Sequence, residues 1–593
     1  MKIIYRELCR GTRQFTRHWF QYLGLFISID LLVQLIVIPL FRLVTTLVLQ
    51  AGEVPFVSYQ NIVTIVTRHP LVVLALVAEL ICLLLVIYGQ FTLVLLGIQE
   101  IGQGRLKIRR LLGETGHRLA SLRGSSLLVL LVYFLLVVPF ADLVFRTPLL
   151  AKVQIPQFIL DYLTRNALLV TLLILFYGLI FIVGVRLIYA LPLMIYRGQQ
   201  PRTALVNSWH RTRRGQWWPP LARVIVIGLL VVFAMGIFYA LTVGLQFGAD
   251  HLLGSAAYYF AIGDLLVIQL GSEFLAAWAT TLTIKTLFQP LVDNHARAQP
   301  GHSLASRITV IVALVVLTIG TGVGNAFYLS GRGDRRPVTV SHRGVADQNG
   351  VQNTIPAMVK THRLHPDYVE MDIHETKDHQ FVVLHDENLA ALTGVNKTPH
   401  QLTLGQLTHL TARENGHQAK IASFDDYLKT ANRLHQRLLV EVKTTPQDSP
   451  GMLRRFVRRY GTTLVRHHDQ LHSLNYRVVK QLRQLDPRLT VLYIQPYNFT
   501  YPNTAASGYS MEYSTLTDDF INLAHLQNKF VYAWTVNDDV VMKQLMYKNV
   551  DGIITDNLVE LNRAIADYEG QRSYGRRLLN YVMVVPTSAE FSW

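Results

Sequence analysis

Hydrophobic residues fall into two regimes along the chain. Before about Leu329 they come in long runs, and after Pro337 in short runs broken by polar residues. A bilayer core about 30 Å thick needs about 20 apolar residues of helix to cross it. Seven runs meet that length: Tyr22–Leu49, Leu71–Ile98, Ser125–Phe145, Ala167–Tyr196, Leu221–Phe247, Ala256–Phe288 and Ile308–Leu329. The first is too long for a signal peptide and has no small-residue cleavage site. The sixth is long enough to tilt, so the count is good to one span.

Beyond Pro337 the candidate strands are Val338–Ser341, Tyr368–Ile373, Phe381–Leu384, Leu438–Val442, Leu471–Leu474, Thr490–Ile494, Phe530–Thr535 and Gly552–Ile554. Amphipathic helical stretches lie between several of them: Ser423–Leu434, Gly451–Tyr460, Tyr476–Leu485 and Asp538–Lys548. Strands alternating with helices read as βα units, and a TIM barrel is their natural closure. An open doubly wound sheet would be expected to carry a Gly-rich phosphate loop after its first strand, which is lacking. The expected fold is therefore a polytopic α-helical membrane domain (1–330), an α/β TIM barrel (337–565) and a C-terminal tail (566–593).

Composition and charge sharpen this division. The chain has 593 residues, 51% of them hydrophobic, and a net charge of +17. Most of the excess charge precedes Pro337, in clusters between apolar runs, so it reads as a topology signal and not as a nucleic-acid footprint. The N-terminal segment carries Lys2, Arg6, Arg10, Arg13 and Arg17. The second connection carries Arg105, Lys107, Arg109, Arg110, Arg118 and Arg123, and the fourth Arg197, Arg202, Arg211, Arg213 and Arg214. The alternate connections are poorer, and the fifth, 249–255, has no Lys or Arg. Positive loops stay inside. The expectation is a multi-pass cell-membrane protein with a cytoplasmic N-terminus and everything after Leu329 outside, against which Arg332, Arg335 and Arg336 count mildly. Cys9 and Cys82 are not placed to pair and indicate no compartment. Asp30, Glu79, Arg186, Asp264 and Glu273 fall inside expected spans, where an ionisable group either marks a function or holds the bundle together; the bundle role is the simpler reading.

The polar residues of the second region sit at strand ends. Val338–Ser341 runs into His342 and Arg343; Glu370 and Asp372, two apart, share one face of a strand; His385 follows another apolar run; Glu441 and Lys443 share a further strand face. Adjacent carboxylates repel unless a cation lies between them. Glu370, Asp372 and Glu441 offer hard oxygen ligands to one Mg²⁺ or Ca²⁺. Arg343 and Lys443 suit a phosphate, and His342 and His385 titrate near neutrality as an acid/base pair. Each alone has a plain alternative: a structural histidine, an exposed strand edge or a surface ion pair. Of the 21 histidines, His362, His365, His374 and His379 receive no role. It is the recurrence at successive strand ends that favours chemistry.

In these residues the sequence resembles the glycerophosphodiester phosphodiesterase family over most of Val338–Leu561. The resemblance rests on Ser-His-Arg-Gly at Ser341–Gly344, Glu-Met-Asp at Glu370–Asp372, Thr376 and Asp378, and Val-Leu-His-Asp at Val383–Asp386. It continues through Val-Glu-Val-Lys at Val440–Lys443, Trp-Thr-Val-Asn at Trp534–Asn537 and Asp-Gly-Ile-Ile-Thr-Asp at Asp551–Asp556. The helices before it are similar to the membrane domain that precedes this barrel in some Gram-positive bacterial proteins. The resemblance implies metal-dependent cleavage of glycerol phosphodiesters to glycerol 3-phosphate and an alcohol, by attack of the neighbouring glycerol hydroxyl to give a cyclic phosphate that water opens. It implies His342 and His385 as acid and base, Glu370, Asp372 and Glu441 around the metal, and Arg343 and Lys443 on phosphate. Trp534 is either an apolar wall against glycerol or a rim core residue. One position departs: the family's Glu-Asn-Thr triplet is here Gln352-Asn353-Thr354, which keeps the hydrogen-bonding shape and loses the charge. Expected partners are the bilayer and a substrate drawn from soluble glycerophosphodiesters, phospholipid or the polyglycerol phosphate of teichoic acids. Nucleic acid is excluded and the oligomeric state is open. The competing readings are a transport or scaffold protein whose barrel only binds phosphodiesters, and, among enzymes, a phospholipase D-like or phosphoinositide-cleaving relative.

Overall fold

The computed structural model describes residues 2–584 apart from 55–56, 58–61, 105, 145–148, 150–154, 165, 289–290, 292–303, 332–334, 498–500 and 571–572. Phe145, Arg105 and Arg332 of the expectations above, and residues 585–593 of the expected tail, lie outside the described residues. Among the described residues the first region contains helices and no strand. Its helices are α1 (Lys2–Leu32), α2 (Ile38–Ala51), α3 (Ile62–Arg68), α4 (Pro70–Gly102), α5 (Ile108–Ala120), α6 (Leu127–Val144), α7 (Gln157–Thr164), α8 (Ala167–Arg186), α9 (Ala190–Arg197), α10 (Pro201–Arg211), α11 (Trp218–Leu252), α12 (Ala257–Phe288) and α13 (Leu304–Ser330). Each apolar run of the sequence falls on one of them or on a consecutive pair. Among the described residues, five helical stretches are long and apolar enough to cross a membrane: Ile4–Ala51, Pro70–Gly102, Ala167–Arg197, Trp218–Leu252 and Gly254–Phe288. The third and seventh runs lie on α6 and α13.

Three of the five charges expected inside the spans are paired locally, while Asp264 and Glu273 each keep one buried carboxylate oxygen without a hydrogen bond. Arg186 donates to the carbonyls of Thr212 (2.6 Å) and Trp209 (2.7 Å) and lies over the Trp209 ring. Asp30 accepts from Gln34, and Glu79 from Thr45. These pairings satisfy polar groups that lipid could not hydrate, which accords with a structural role.

Hydrogen bonds sort the connections into two ends. At one end Gln14 reaches the Gly102 carbonyl (2.7 Å), Arg223 pairs with Glu7 (3.0 Å), and Gln200 donates to the Ser121 carbonyl (2.9 Å). This end gathers the N-terminus with the second and fourth connections, which are the basic ones. At the other end α2 and the third and fifth connections meet the second region. Arg42 pairs with Asp519 (2.6 Å), the Gln157 amide with Ser514 (3.2 Å), and the Gly575 amide with Asp250 (2.7 Å). The C-terminal helix Tyr574–Met583, within the expected tail, packs back on the bundle, where Tyr581 receives a hydrogen bond from Gln269.

The second region contains strands β1 (Val338–Ser341), β2 (Tyr368–Glu375), β3 (Phe381–Val383), β4 (Thr411–Glu414), β5 (His417–Lys420), β6 (Arg437–Val442), β7 (Gln470–Ser473), β8 (Thr490–Gln495), β9 (Gly508–Glu512), β10 (Phe530–Trp534) and β11 (Gly552–Thr555). Eight of them, β1, β2 and β6 to β11, pair in parallel, and β1 meets both β11 and β2, which closes a barrel. The eight expected strands are not those eight. Phe381–Val383 pairs antiparallel with β2 outside the ring, and β9 takes the eighth place. Gly-Tyr-Ser-Met-Glu holds only two apolar residues and opens on a glycine, too little to read as a strand. Its glycine is required because a Cβ at Gly508 would lie 2.5 Å from the Phe530 carbonyl oxygen of β10.

Alternation fills two cores. Val340, Tyr368, Leu439, Leu492, Tyr532 and Ile554 plug the barrel interior. Val369, Met371, Val440, Leu471 and Val491 face outward against the helices. The helix Phe424–Arg433 shows how the cover forms: Ser423 caps it by accepting from the Asp426 amide, Asp425 and Asp426 favour the positive end of its dipole, and Phe424, Tyr427, Leu428 and Ala431 are buried. Each large side chain so buried contributes about 1.5–3 kcal/mol. Gly508→Val is expected to destabilise the barrel by about 1–3 kcal/mol through overpacking, read as an earlier midpoint of denaturant unfolding; an unmoved midpoint would show that β9 does not sit against Phe530.

Candidate active site

Because strand side chains alternate and all eight strands run parallel, inward-facing residues at the carboxyl ends form one polar layer above the apolar plug. The register fixes its lateral order: Asp372 of β2 lies beside Glu441 of β6, which lies beside His472 of β7. Glu370 is 2% exposed, Asp372 fully buried, Glu441 8% exposed and His472 3% exposed. Glu370, Glu441 and His472 place one donor atom each within 4.8 Å of one another. His472 Nε2 stands 3.4 Å from Glu370 Oε1. The sequence reading grouped Asp372 with the two glutamates and passed over His472, a lone histidine in an apolar strand.

Asp372 is engaged instead with its neighbours. Asn353 donates to its Oδ2 (2.8 Å), and Lys443 Nζ lies 3.1 Å from Oδ1 and 2.7 Å from Glu441 Oε1. Both oxygens facing Lys443 are in ion-pair range, yet neither has a well-aligned hydrogen bond, and both nitrogens of His472 also lack one. Buried polar atoms are nearly always satisfied, so these carboxylate oxygens, met only by the Lys443 charge, together with the unbonded His472 ring fit a divalent cation. Burial alone would push the Asp372 carboxyl up, but Lys443, His385 and Arg343 hold it well below the usual carboxylate range. Burial would likewise depress Lys443; Asp372 and Glu441 more than offset that and raise it.

His342 and Arg343 form a tight turn after β1, with Arg343 at φ 52° and Gly344 at φ 68°. A Cβ at Gly344 would also meet the Tyr427 hydroxyl at 2.7 Å, so glycine is needed on both counts. The turn aims the Arg343 amide at Glu370 Oε2 (2.7 Å) and its guanidinium at Gln352 Oε1 (2.7 Å). Behind Gln352 stands Glu414 at the end of β4, which accepts from Gln352 Nε2 (2.6 Å) and the Gln352 amide (2.8 Å). The carboxylate that the family pattern places at 352 is therefore present one residue further from Arg343. Distance in sequence hid Glu414 from the motif.

His342 Nδ1 is 2.8 Å from Asp556 Oδ1 at the end of β11, and Asn537 donates to the other Asp556 oxygen (2.8 Å). Burial would lower the His342 pKa, but Asp556 overrides it and the net shift is upward. His385 lies after β3, with Nδ1 2.7 Å from Asp386 Oδ1, a contact that lowers the Asp386 carboxyl. Buried His374, pushed down to about 4 by desolvation, bonds the His385 carbonyl (3.0 Å) and so positions that loop. Trp534 ends β10 at the mouth and packs on Phe158 of α7, with ring centroids 5.9 Å apart. A second group of potential metal donors, Glu375, His400 and Asp448, lies nearby, but Glu375 is taken up by Ser449 and Arg455.

Comparison with known proteins covers both regions. Residues 8–323, more than half of the chain, match the membrane domain of glycerophosphoryl diester phosphodiesterase, and residues 342–560 match the glycerophosphoryl diester phosphodiesterase family. The chain is 24% identical over 279 residues to a glycerophosphodiester phosphodiesterase of Bacillus subtilis, spanning 42% of this chain and 94% of that protein. A 57-residue stretch, 10% of this chain, is 49% identical to 18% of a lysophospholipase D from Homo sapiens. Among solved structures, a phosphodiesterase of Oleispira antarctica in complex with the product sn-glycerol-3-phosphate is similar at 19% identity and TM-score 0.34, over 39% of this chain and 96% of that one. The chain belongs to the glycerophosphodiester phosphodiesterase family, as an enzyme that hydrolyses glycerophosphodiesters and carries its own N-terminal membrane domain.

Proposed function

We propose that the barrel cleaves glycerophosphodiesters to glycerol 3-phosphate and an alcohol with a divalent cation and two histidines, on the extracytoplasmic side of the cell membrane. The observation that carries this reading is the row of buried, incompletely satisfied donors at the barrel mouth, flanked by two cationic side chains and two carboxylate-paired histidines. Glu370, Glu441 and His472 would hold one Mg²⁺ or Ca²⁺, with Asp372 beside them. Bound there, such an ion would supply Lewis-acid chemistry and charge for the phosphodiester.

The chain's own groups supply the rest. Arg343, braced by Gln352 and Glu414, presents a planar fork to the phosphate, and Lys443 a point charge. One histidine takes the proton from the glycerol hydroxyl next to the phosphorylated carbon as that oxygen attacks phosphorus. The other protonates the departing alcohol, and the two exchange roles when water opens the cyclic phosphate. His342, whose pKa Asp556 raises, suits the acid of the first step, which leaves His385 as its base. Trp534 closes one side of the mouth as an apolar wall. Intact catalytic positions favour this reading over a barrel that only binds its ligand.

The placement rests on loop charge. The first and third connections meet the barrel and the fifth meets the C-terminal helix that follows it, while the basic N-terminus with the second and fourth connections lies at the opposite end, an arrangement that supports positive loops inside and the barrel outside. External protease on intact cells is expected to remove the barrel; full protection would reverse the topology.

Turnover of glycerophosphocholine by the full chain in detergent is expected to stop with chelator and return with Mg²⁺ or Ca²⁺. His342→Ala and His385→Ala should each lower kcat by about 10²–10⁴-fold; wild-type turnover in either, or indifference to chelator, would overturn the mechanism. Since Asp556 raises the His342 pKa, its acid form persists to higher pH. Asp556→Asn should therefore move the alkaline limb of the kcat/KM profile to lower pH, and an unmoved limb would take His342 out of the acid role.

A further inference from the structure

The mouth of the barrel is not closed by barrel residues alone. A cleft of about 620 Å³ is lined on one side by His374, His385, Glu441 and Lys443 and on the other by Glu53, Val54, Thr64, Ile65 and His69 of the membrane domain. Its volume lies in the range of small-molecule sites. Two further contacts hold this geometry, Phe158 of α7 against Trp534 and Arg42 of α2 against Asp519. Glu53 has φ 54°, a left-handed conformation that glycine would adopt at less cost, so a carboxylate is kept where the backbone disfavours a side chain.

The membrane-domain wall marks the level of the bilayer. Leu71, two residues past His69, is 80% exposed; Val63, beside Thr64, is 70% exposed; Leu74 is 66% exposed. Large apolar side chains this exposed, on helices of a membrane domain, face lipid and not water. The lipid-facing surface therefore begins within two residues of the cleft wall, and the cleft carries Lys443 and His385 on its far side.

Resting on the mechanism above, we propose that this enzyme takes its substrate from the bilayer. Glu53, Thr64 and His69 form the lipid-side wall of the catalytic cleft, and the substrate is a glycerophospholipid whose phosphodiester bears a glycerol with a free secondary hydroxyl. Attack by that hydroxyl forms the new oxygen–phosphorus bond as the bond to the acylated glycerol breaks. One histidine receives the hydroxyl proton and the other protonates the departing diacylglycerol oxygen; water then opens the cyclic phosphate. A phosphodiester flanked by a fully acylated glycerol and choline lacks the attacking hydroxyl and is inert.

The full chain, reconstituted in phosphatidylcholine vesicles, is given phosphatidylglycerol in the same bilayer, soluble glycerophosphocholine, or soluble polyglycerol phosphate. Phosphatidylglycerol is expected to yield diacylglycerol with a kcat/KM at least about tenfold above either soluble diester. Thr64→Trp, which narrows the lipid side, and His69→Ala, which needs no repacking, should each lower the ratio of lipid to soluble turnover by about tenfold. Soluble turnover in these variants reports that they fold. A ratio unchanged in both variants, or a preference for polyglycerol phosphate or glycerophosphocholine, would overturn the lipid-side wall while leaving the catalytic reading standing. Failure to cleave any of the three would overturn the catalytic reading and this inference with it.

Discussion

Three carboxylates crowded at the mouth of the barrel are the constraint on which the site depends. Two unit charges about 4 Å apart repel by about 4 kcal/mol at the effective dielectric near a protein surface, and burial adds several kcal/mol per ion. Glu370, Asp372 and Glu441 cannot be held so unless cations answer them. Lys443 lies between Asp372 and Glu441, and the Arg343 backbone amide serves Glu370. That leaves oxygens on Asp372 and Glu441 and both His472 nitrogens without aligned hydrogen bonds. The surroundings follow from this demand: a turn that places Arg343 at positive φ, a glycine next to Tyr427, and a relay through Gln352 to Glu414.

The same demand explains what could be seen in the sequence. Side chains two apart on a strand share a face, so Glu370–Asp372 and Glu441–Lys443 announced a charged strand face before any fold was known. His342 and His385 were legible because each closes an apolar run. His472 was not, since a single histidine in Gln-Leu-His-Ser has no local partner and acquires one only through the β6–β7 register. Glu414 was hidden for a related reason: its partner Gln352 is 62 residues away, and the hairpin that carries it has weak periodicity. The barrel itself was legible as alternating strands and helices, but β9 was not. Its Gly508 answers a close approach by β10, which no pattern within one strand can reveal.

The membrane domain joins the barrel by more than a tether. The first and third connections meet the barrel, the C-terminal helix bridges it to the fifth, and α3 and α7 stand at its mouth. Hydropathy located the helices and loop charge sorted their ends. Neither could show that Phe158 would meet Trp534, because that contact joins residues that belong to different folding units. Trp534 thereby sits between apolar wall and rim packing, the two roles its sequence context left open.

Calorimetric titration of the metal-free full chain with Mg²⁺ and with Ca²⁺ tests the central claim most directly. One ion per chain should bind, and binding should be lost in Glu441→Gln and sharply weakened in His472→Ala. Absence of binding, or binding untouched by Glu441→Gln, would mean that the buried carboxylates are answered by Lys443 and Arg343 alone.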